Sequence, residues 1–140
     1  MKAHVGVDRR TKLIHTILVS AANVADSLAM PHLLHGKETR VWGDQGYQGQ
    51  RDAIRKAAPR ARDFTNRRYR CHRRVDEAIK ATNRTKSQVR AKVEHVFGVI
   101  KRLFGFQKVC YRGLDKNRHR LEVMAALTNL FMVRRRLLNA

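Results

Sequence analysis

The chain has 140 residues, of which 31 are Lys or Arg and 11 are Asp or Glu, giving a formal net charge of +20 at pH 7. That length suits one compact core, and a hydrophobic share of 43% excludes a wholly disordered chain. The charge demands a polyanionic partner: nucleic-acid phosphate repays clustered cations through counterion release, although composition alone leaves a ribosomal or nucleoid-type packing protein open.

The chain opens on an alternation, Lys2, His4 and Gly6 against Ala3, Val5 and Val7, followed by a polar turn over Asp8 to Lys12 and the apolar run Leu13 to Val19. This pattern predicts a β-hairpin. With no strand before it, the hairpin gives the expectation that the sequence starts inside a domain. The Met1–Asp8 stretch has no apolar signal core, and nowhere do about 18 apolar residues run uninterrupted. Cys71 and Cys110 stand far apart without metal-ligand spacing, which fits a reduced compartment. The expectation is a soluble cytoplasmic protein that is not exported and has no membrane partner.

Asn23 and Asp26 offer capping oxygens ahead of a short amphipathic helix over Ser27 to Leu34, which His35-Gly36 should end. Arg40-Val41-Trp42-Gly43-Asp44 reads as a strand running into a glycine-spaced loop, Gln45 to Gly49. Gln50 to Ala58 reads as a helix stopped by Pro59, with Ile54 and Ala57 or Ala58 turned inward. Over residues 60–84 the pattern decays into basic residues with sparse aromatics, a loop or insertion holding at most one weak strand. Helical periodicity returns from Thr85 to about Phe106, with Val89, Val93, Phe97, Ile100 and Phe104 as its stripe. A carboxy-terminal helix is expected over residues 118–138, with Met124, Leu127 and Phe131 as core. This succession of elements suits an α/β domain better than a bundle.

Two carboxylates stand out. Asp44 closes a strand, where α/β sheets place their ligands, though a turn or cap aspartate reads the same way in isolation. On an ideal helix Arg90 and Lys101 fall within about 40° of Glu94, at the border between core and solvent; taken alone, Glu94 is equally an exposed glutamate supported by Arg90. Paired carboxylates in so basic a protein suit phosphodiester chemistry, in which hard cations held by oxygen ligands activate a nucleophile and stabilise a leaving oxygen. The basic tract Arg67-Arg68-Tyr69-Arg70-Cys71-His72-Arg73-Arg74 mixes cations with an aromatic, as backbone-tracking surfaces do, or is a solvated loop. Arg67, Arg68, Arg70, Arg73, Arg74, Lys86, Lys101 and Arg102 are the candidate DNA contacts.

The spacing Arg90, three residues, Glu94, six residues, Lys101 resembles the signature around the catalytic glutamate of insertion-sequence DDE transposases, in the branch called insertion sequence family five. A Tyr usually stands three residues before that Arg; here the position is Ser87. Gly43-Asp44-Gln45-Gly46-Tyr47 resembles the segment bearing the second catalytic Asp, and Lys2-Ala3-His4 with Val7-Asp8 resembles the hairpin before it. Asn23 to Asp26, Asn83 to Lys86 and Gly105-Phe106 match further pieces.

The resemblance implies a ribonuclease-H-like catalytic core of the retroviral integrase superfamily, amino-terminally truncated and ending in a helix, so that residues 1–140 form a partial catalytic domain. It implies DNA transposition by metal-dependent cleavage and strand transfer with Mg²⁺ or Mn²⁺. The partners it implies are transposon ends and target DNA, and either a homo-oligomer or a complementing upstream transposase fragment. Asp44 and Glu94 become metal ligands and catalytic acids converging on the same ions, with Arg90 and Lys101 as positioning or phosphate-binding groups. The first catalytic Asp has no counterpart: Asp8 matches a hairpin-turn residue. The chain alone is therefore expected to be inactive, and the alternative is a non-catalytic DNA-binding remnant or another basic nucleic-acid-binding protein.

Overall fold

A computed structural model describes residues 1–71 and 74–139. The chain is mixed α/β and divides into two compact units, one of Met1–Val24 with Lys92–Ala140 and the other of Ala25–Ala91.

In the first unit, β1 (Lys2–Val7) pairs antiparallel with β2 (Ile14–Ser20), as the alternating pattern predicts. Asp8 builds the turn: its Oδ1 accepts from the N–H groups of Arg10 (2.9 Å) and Thr11 (2.6 Å) and from Thr11 Oγ1 (2.8 Å), while Lys12 takes the positive φ of 63° that closes it. The backbone bond from Thr11, then its hydroxyl, holds the Asp8 carboxyl below its ordinary pKa, the behaviour of a turn carboxylate.

Ile14 and Val19 pack with Val96 and Ile100 of α2 (Glu77–Arg102) and with Leu121 and Ala125 of α3 (Leu114–Leu138). Asn129 on α3 ties helix to strand edge, its amide donating to the Ile14 carbonyl and its Oδ1 accepting from the Ile14 N–H, both at 2.8 Å. The buried positions of α2 here are Val96, Val99 and Ile100, with Val93, Phe97 and Phe104 only half-buried, so the expected stripe is rotated. Two apolar rows run along this helix, and periodicity alone does not choose between them. Leu127, expected in the core, is exposed, because Leu121, Ala125 and Thr128 take the inward face of α3.

In the second unit, the segment before the site forms a 3-10 helix, Asp26–Leu33, with Ala25 at its cap position and no side-chain cap bond. The expected capping role of Asn23 and Asp26 is therefore not adopted, and Pro31 inside the segment disfavours a regular α-helix. Strand β3 (Arg40–Val41) pairs parallel with β4 (Arg62–Asp63) across α1 (Arg51–Ala57), the crossover that parallel strands require. The ladder continues past both strands, since Arg62, Phe64 and Asn66 donate to the carbonyls of Thr39, Val41 and Gly43. Ile54, Met30 and Val41 form the core beneath, and Ala58 is fully buried beside them, as the sequence predicts for α1. Trp42 stacks on Phe64 at 5.4 Å.

The tract expected to be a loop over 60–84 carries more order than its composition suggests. Besides β4 it holds the short antiparallel pair β5 (Arg70–Cys71) and β6 (Arg74–Val75) and the first turns of α2. That helix starts at Glu77 rather than Thr85, because Asp76 caps it by accepting from the Ile79 N–H at 3.0 Å.

Candidate functional site

Asp44 follows β3 and opens the short 3-10 turn Gln45–Tyr47, where its Oδ1 accepts from the Gln45 N–H at 2.6 Å. Gly43 before it is buried, and a Cβ there would stand 2.7 Å from Met30 Cε and 3.1 Å from Thr65 Oγ1. A larger residue here would have to push the flexible end of Met30 aside and press on Thr65, and the carboxylate emerges just beyond.

That carboxylate meets Arg90. The guanidinium Nη1 of Arg90 donates to Asp44 Oδ1 at 3.0 Å across 46 residues of sequence, with side-chain exposures of 25% for Arg90 and 54% for Asp44. Asp44 Oδ2 accepts no hydrogen bond from the described residues. Tyr47 lies close by, and burial first, then the charges of Asp26 and Asp44, push its phenol above the ordinary pKa. Asp26, read from sequence as a possible cap, therefore belongs to the electrostatic surroundings of Asp44.

Around this pair the backbone from Thr65 to Arg68 is held by α2 and the Asp44 loop. Asn83 clamps Arg67, donating from Nδ2 to its carbonyl at 2.7 Å and accepting from its N–H at 3.1 Å. Lys86 Nζ donates to the Thr65 carbonyl at 3.1 Å, and Gln48 Oε1 accepts from the Arg68 N–H at 2.9 Å. Ser87, standing where a Tyr was expected, accepts from Asn66 Nδ2 at 3.3 Å, so the smaller residue still joins the two segments. The side chains of Arg67, Arg68 and Arg70 are exposed on this anchored backbone. Arg73 lies outside the described residues, as does the side chain of Arg74. Lys86, expected to meet DNA, spends its ammonium on the tether to Thr65.

The remaining candidates belong to the first unit. Glu94 is exposed one helical turn after Arg90 on α2. With Lys101 and Arg102 it lines a cavity of about 650 Å³ floored by Phe97, Ile100, Phe106 and Leu121. Asp44 and Arg90 are thus in direct contact within the second unit, while Glu94, Lys101 and Arg102 line one cavity of the first.

The sequence of residues 1–130 matches the family described as Transposase DDE domain. The chain belongs to the DDE transposase family. No solved structure matches it. Members of this family act on DNA in transposition and generally use divalent metal ions. The donor chemistry in this transposase domain suits such ions in kind, since Asp44 offers carboxylate oxygens, the hard ligands that Mg²⁺ and Mn²⁺ prefer. In number it is lean: among the described residues no three His, Cys, Asp or Glu side chains stand together as a metal site.

Proposed function

We propose that this chain is the catalytic part of an insertion-sequence transposase of the insertion sequence family five branch, with a ribonuclease-H-like core, that cleaves DNA at transposon ends and joins it to a target. The observation that carries the reading is the Asp44–Arg90 pair at 3.0 Å. It joins the two motif-bearing segments that the family signature treats as parts of one site. Nothing in composition or helix periodicity requires a strand-end aspartate to meet an arginine 46 residues away.

In this reading Asp44 and Glu94 are the carboxylates that hold Mg²⁺ or Mn²⁺. Bound there, divalent ions supply activation of a water or 3′-hydroxyl and stabilisation of the leaving oxygen. Arg90 keeps the Asp44 carboxylate oriented by fixing Oδ1, which leaves Oδ2 for a ligand. Lys101 and Arg102 meet phosphates of the strand being cut, and the arginines on the anchored 67–70 segment track the backbone further out. No residue here takes the part of the family's first Asp, so activity is assigned to the chain acting together with a segment that supplies it. The partners in this reading are the transposon ends and target DNA, with a homo-oligomer or a complementing upstream transposase fragment as the protein partner.

The test is nicking of supercoiled DNA carrying the element's ends, with and without Mn²⁺, by the chain alone and after addition of the upstream Asp-bearing fragment. Metal-dependent nicking that appears on complementation and disappears in both Asp44→Asn and Glu94→Gln is the expected result. Nicking unchanged by either substitution overturns the assignment. DNA binding without nicking under every complementation moves the chain to the second reading, a DNA-binding remnant.

A further inference from the structure

Trp42 stacks on Phe64 with ring planes 20° from parallel. Both belong to the second unit, and the stack follows from register. Arg40 is paired with Arg62 and Val41 with Asp63, so the next residue along each strand is also a neighbour of the other. Side chains alternate between the two faces of a strand. Val41 packs in the core with Met30 and Ile54, which leaves Arg40, Trp42, Arg62 and Phe64 on the opposite face. The two aromatics are half-buried and the two arginines exposed. Among the described residues neither guanidinium takes part in an ion pair or a side-chain hydrogen bond. Like charges directly opposite across a strand pair repel, and an anion set between them offsets that cost.

The sheet has two strands, which makes β4 an edge, and an edge ordinarily invites another strand. Here the backbone groups of Thr65 are taken by side chains. Asp63 Oδ1 accepts from the Thr65 N–H at 2.8 Å, and Lys86 Nζ donates to the Thr65 carbonyl at 3.1 Å. A peptide strand therefore finds no continuous ladder beside Phe64.

We infer that this face binds an unpaired nucleotide, its base joining the stack on the Phe64 side and the phosphates on either side of it meeting Arg62 and Arg40. Stacking on an aromatic ring is open to every base, and the planar guanidinium fork suits phosphate oxygens. Within a duplex the faces of each base are covered by its neighbours, so the site adds affinity only for unpaired or locally opened DNA. Trp42 stands two residues before Asp44. Under the transposase reading the bound nucleotide thus lies near the proposed metal-holding carboxylate, and that placement alone rests on the reading.

The test is binding of the full chain, without divalent ions, to labelled oligothymidylate and to an abasic oligomer of the same length, followed by fluorescence anisotropy. Oligothymidylate should bind at least about tenfold more tightly. Phe64→Leu should remove that difference and leave abasic binding unchanged, while Phe64→Tyr should retain it. Arg40→Ala with Arg62→Ala should lower the slope of log affinity against log salt by about 1.4, two phosphates' worth on a single strand. In the wild type, an iododeoxyuridine oligomer should crosslink under ultraviolet light to Phe64 or Trp42, located by peptide mass spectrometry. Neither cleavage nor metal enters these measurements, so loss of the nicking activity leaves them standing. Equal wild-type affinity for the two oligomers, a difference that persists in Phe64→Leu, or crosslinks confined to other segments overturns the inference; an unchanged salt slope overturns the part assigned to the two arginines.

Discussion

Arg90 Nη1 lies 3.0 Å from Asp44 Oδ1, and that one contact ties the end of a two-residue strand to the middle of the longest helix in the chain. With Asp44 more than half exposed, the pair contributes little to folding, on the order of 0.2–1 kcal/mol. Its consequence is orientation. One carboxylate oxygen is fixed by Arg90 and the Gln45 N–H together, so the direction of the other follows.

Arg90→Ala should therefore separate stability from activity. Urea unfolding should show a loss below about 1 kcal/mol, while complemented nicking falls on the order of 100-fold because the carboxylate is no longer held in register. Arg90→Lys should recover little of it, since a single ammonium lacks the planar fork. A large stability loss with a matching fall in activity would make Arg90 a structural residue instead.

Asn83 is buried and satisfies both backbone groups of Arg67. Asn83→Ala leaves the Arg67 N–H and carbonyl without that partner and should cost roughly 1–3 kcal/mol in chemical denaturation. It should also weaken DNA binding with no change in net charge, because the segment displaying Arg67, Arg68 and Arg70 loses its anchor. Unchanged affinity would show that the anchor does not matter to the DNA surface.

Tyr47 reports on Asp44. Its phenol is held above the ordinary pKa of 10.0 by burial, then by Asp26 and Asp44. In a chain with Tyr69→Phe and Tyr111→Phe, absorbance at the phenolate band should show Tyr47 titrating later than free tyrosine. Asp44→Asn should bring that titration part of the way back, leaving the part due to burial and Asp26. The sign for stability follows: the folded pKa lies above the unfolded one, so the contribution is full below the unfolded pKa and is lost as pH rises through the folded value. No movement in Asp44→Asn would mean that the two groups do not feel each other.

Replacing Arg67, Arg68 and Arg70 together by Ala should reduce the slope of log affinity against log salt by about 2–3, one unit for each phosphate no longer neutralised. Sequence preference, which base edges determine, should be unaffected. An unchanged slope would remove these three arginines from the DNA surface.

The strand-end position of Asp44, the opening hairpin and the helix at Ile54 were legible because each rests on a short-range rule: a strand into a glycine-spaced loop, alternation, a proline stop. What stayed hidden depends on partners distant in sequence. The clamps of Asn83 on Arg67 and of Asn129 on Ile14 use a polar residue that has no characteristic spacing inside a helix. The start of α2 at Glu77 was obscured by the basic tract before it, although Asp76 carried the cap signal. The buried row of α2, Val96 and Ile100 with Val99 rather than Phe97 and Phe104, could not be chosen without knowing what packs against it, and the same holds for Leu127 on α3. Asp26 was misread for the opposite reason: a local role was available to it, and its influence on Tyr47 is tertiary.

Asp44 and Glu94 are proposed above all as holders of divalent ions, and Mn²⁺ binding followed by electron paramagnetic resonance tests this without requiring turnover. The full chain, titrated alone and with the Asp-bearing upstream fragment, should bind Mn²⁺ more tightly in the complemented form, and Asp44→Asn and Glu94→Gln should each abolish most of that gain. Binding of equal strength in the wild type and in both variants would deny the two carboxylates that role.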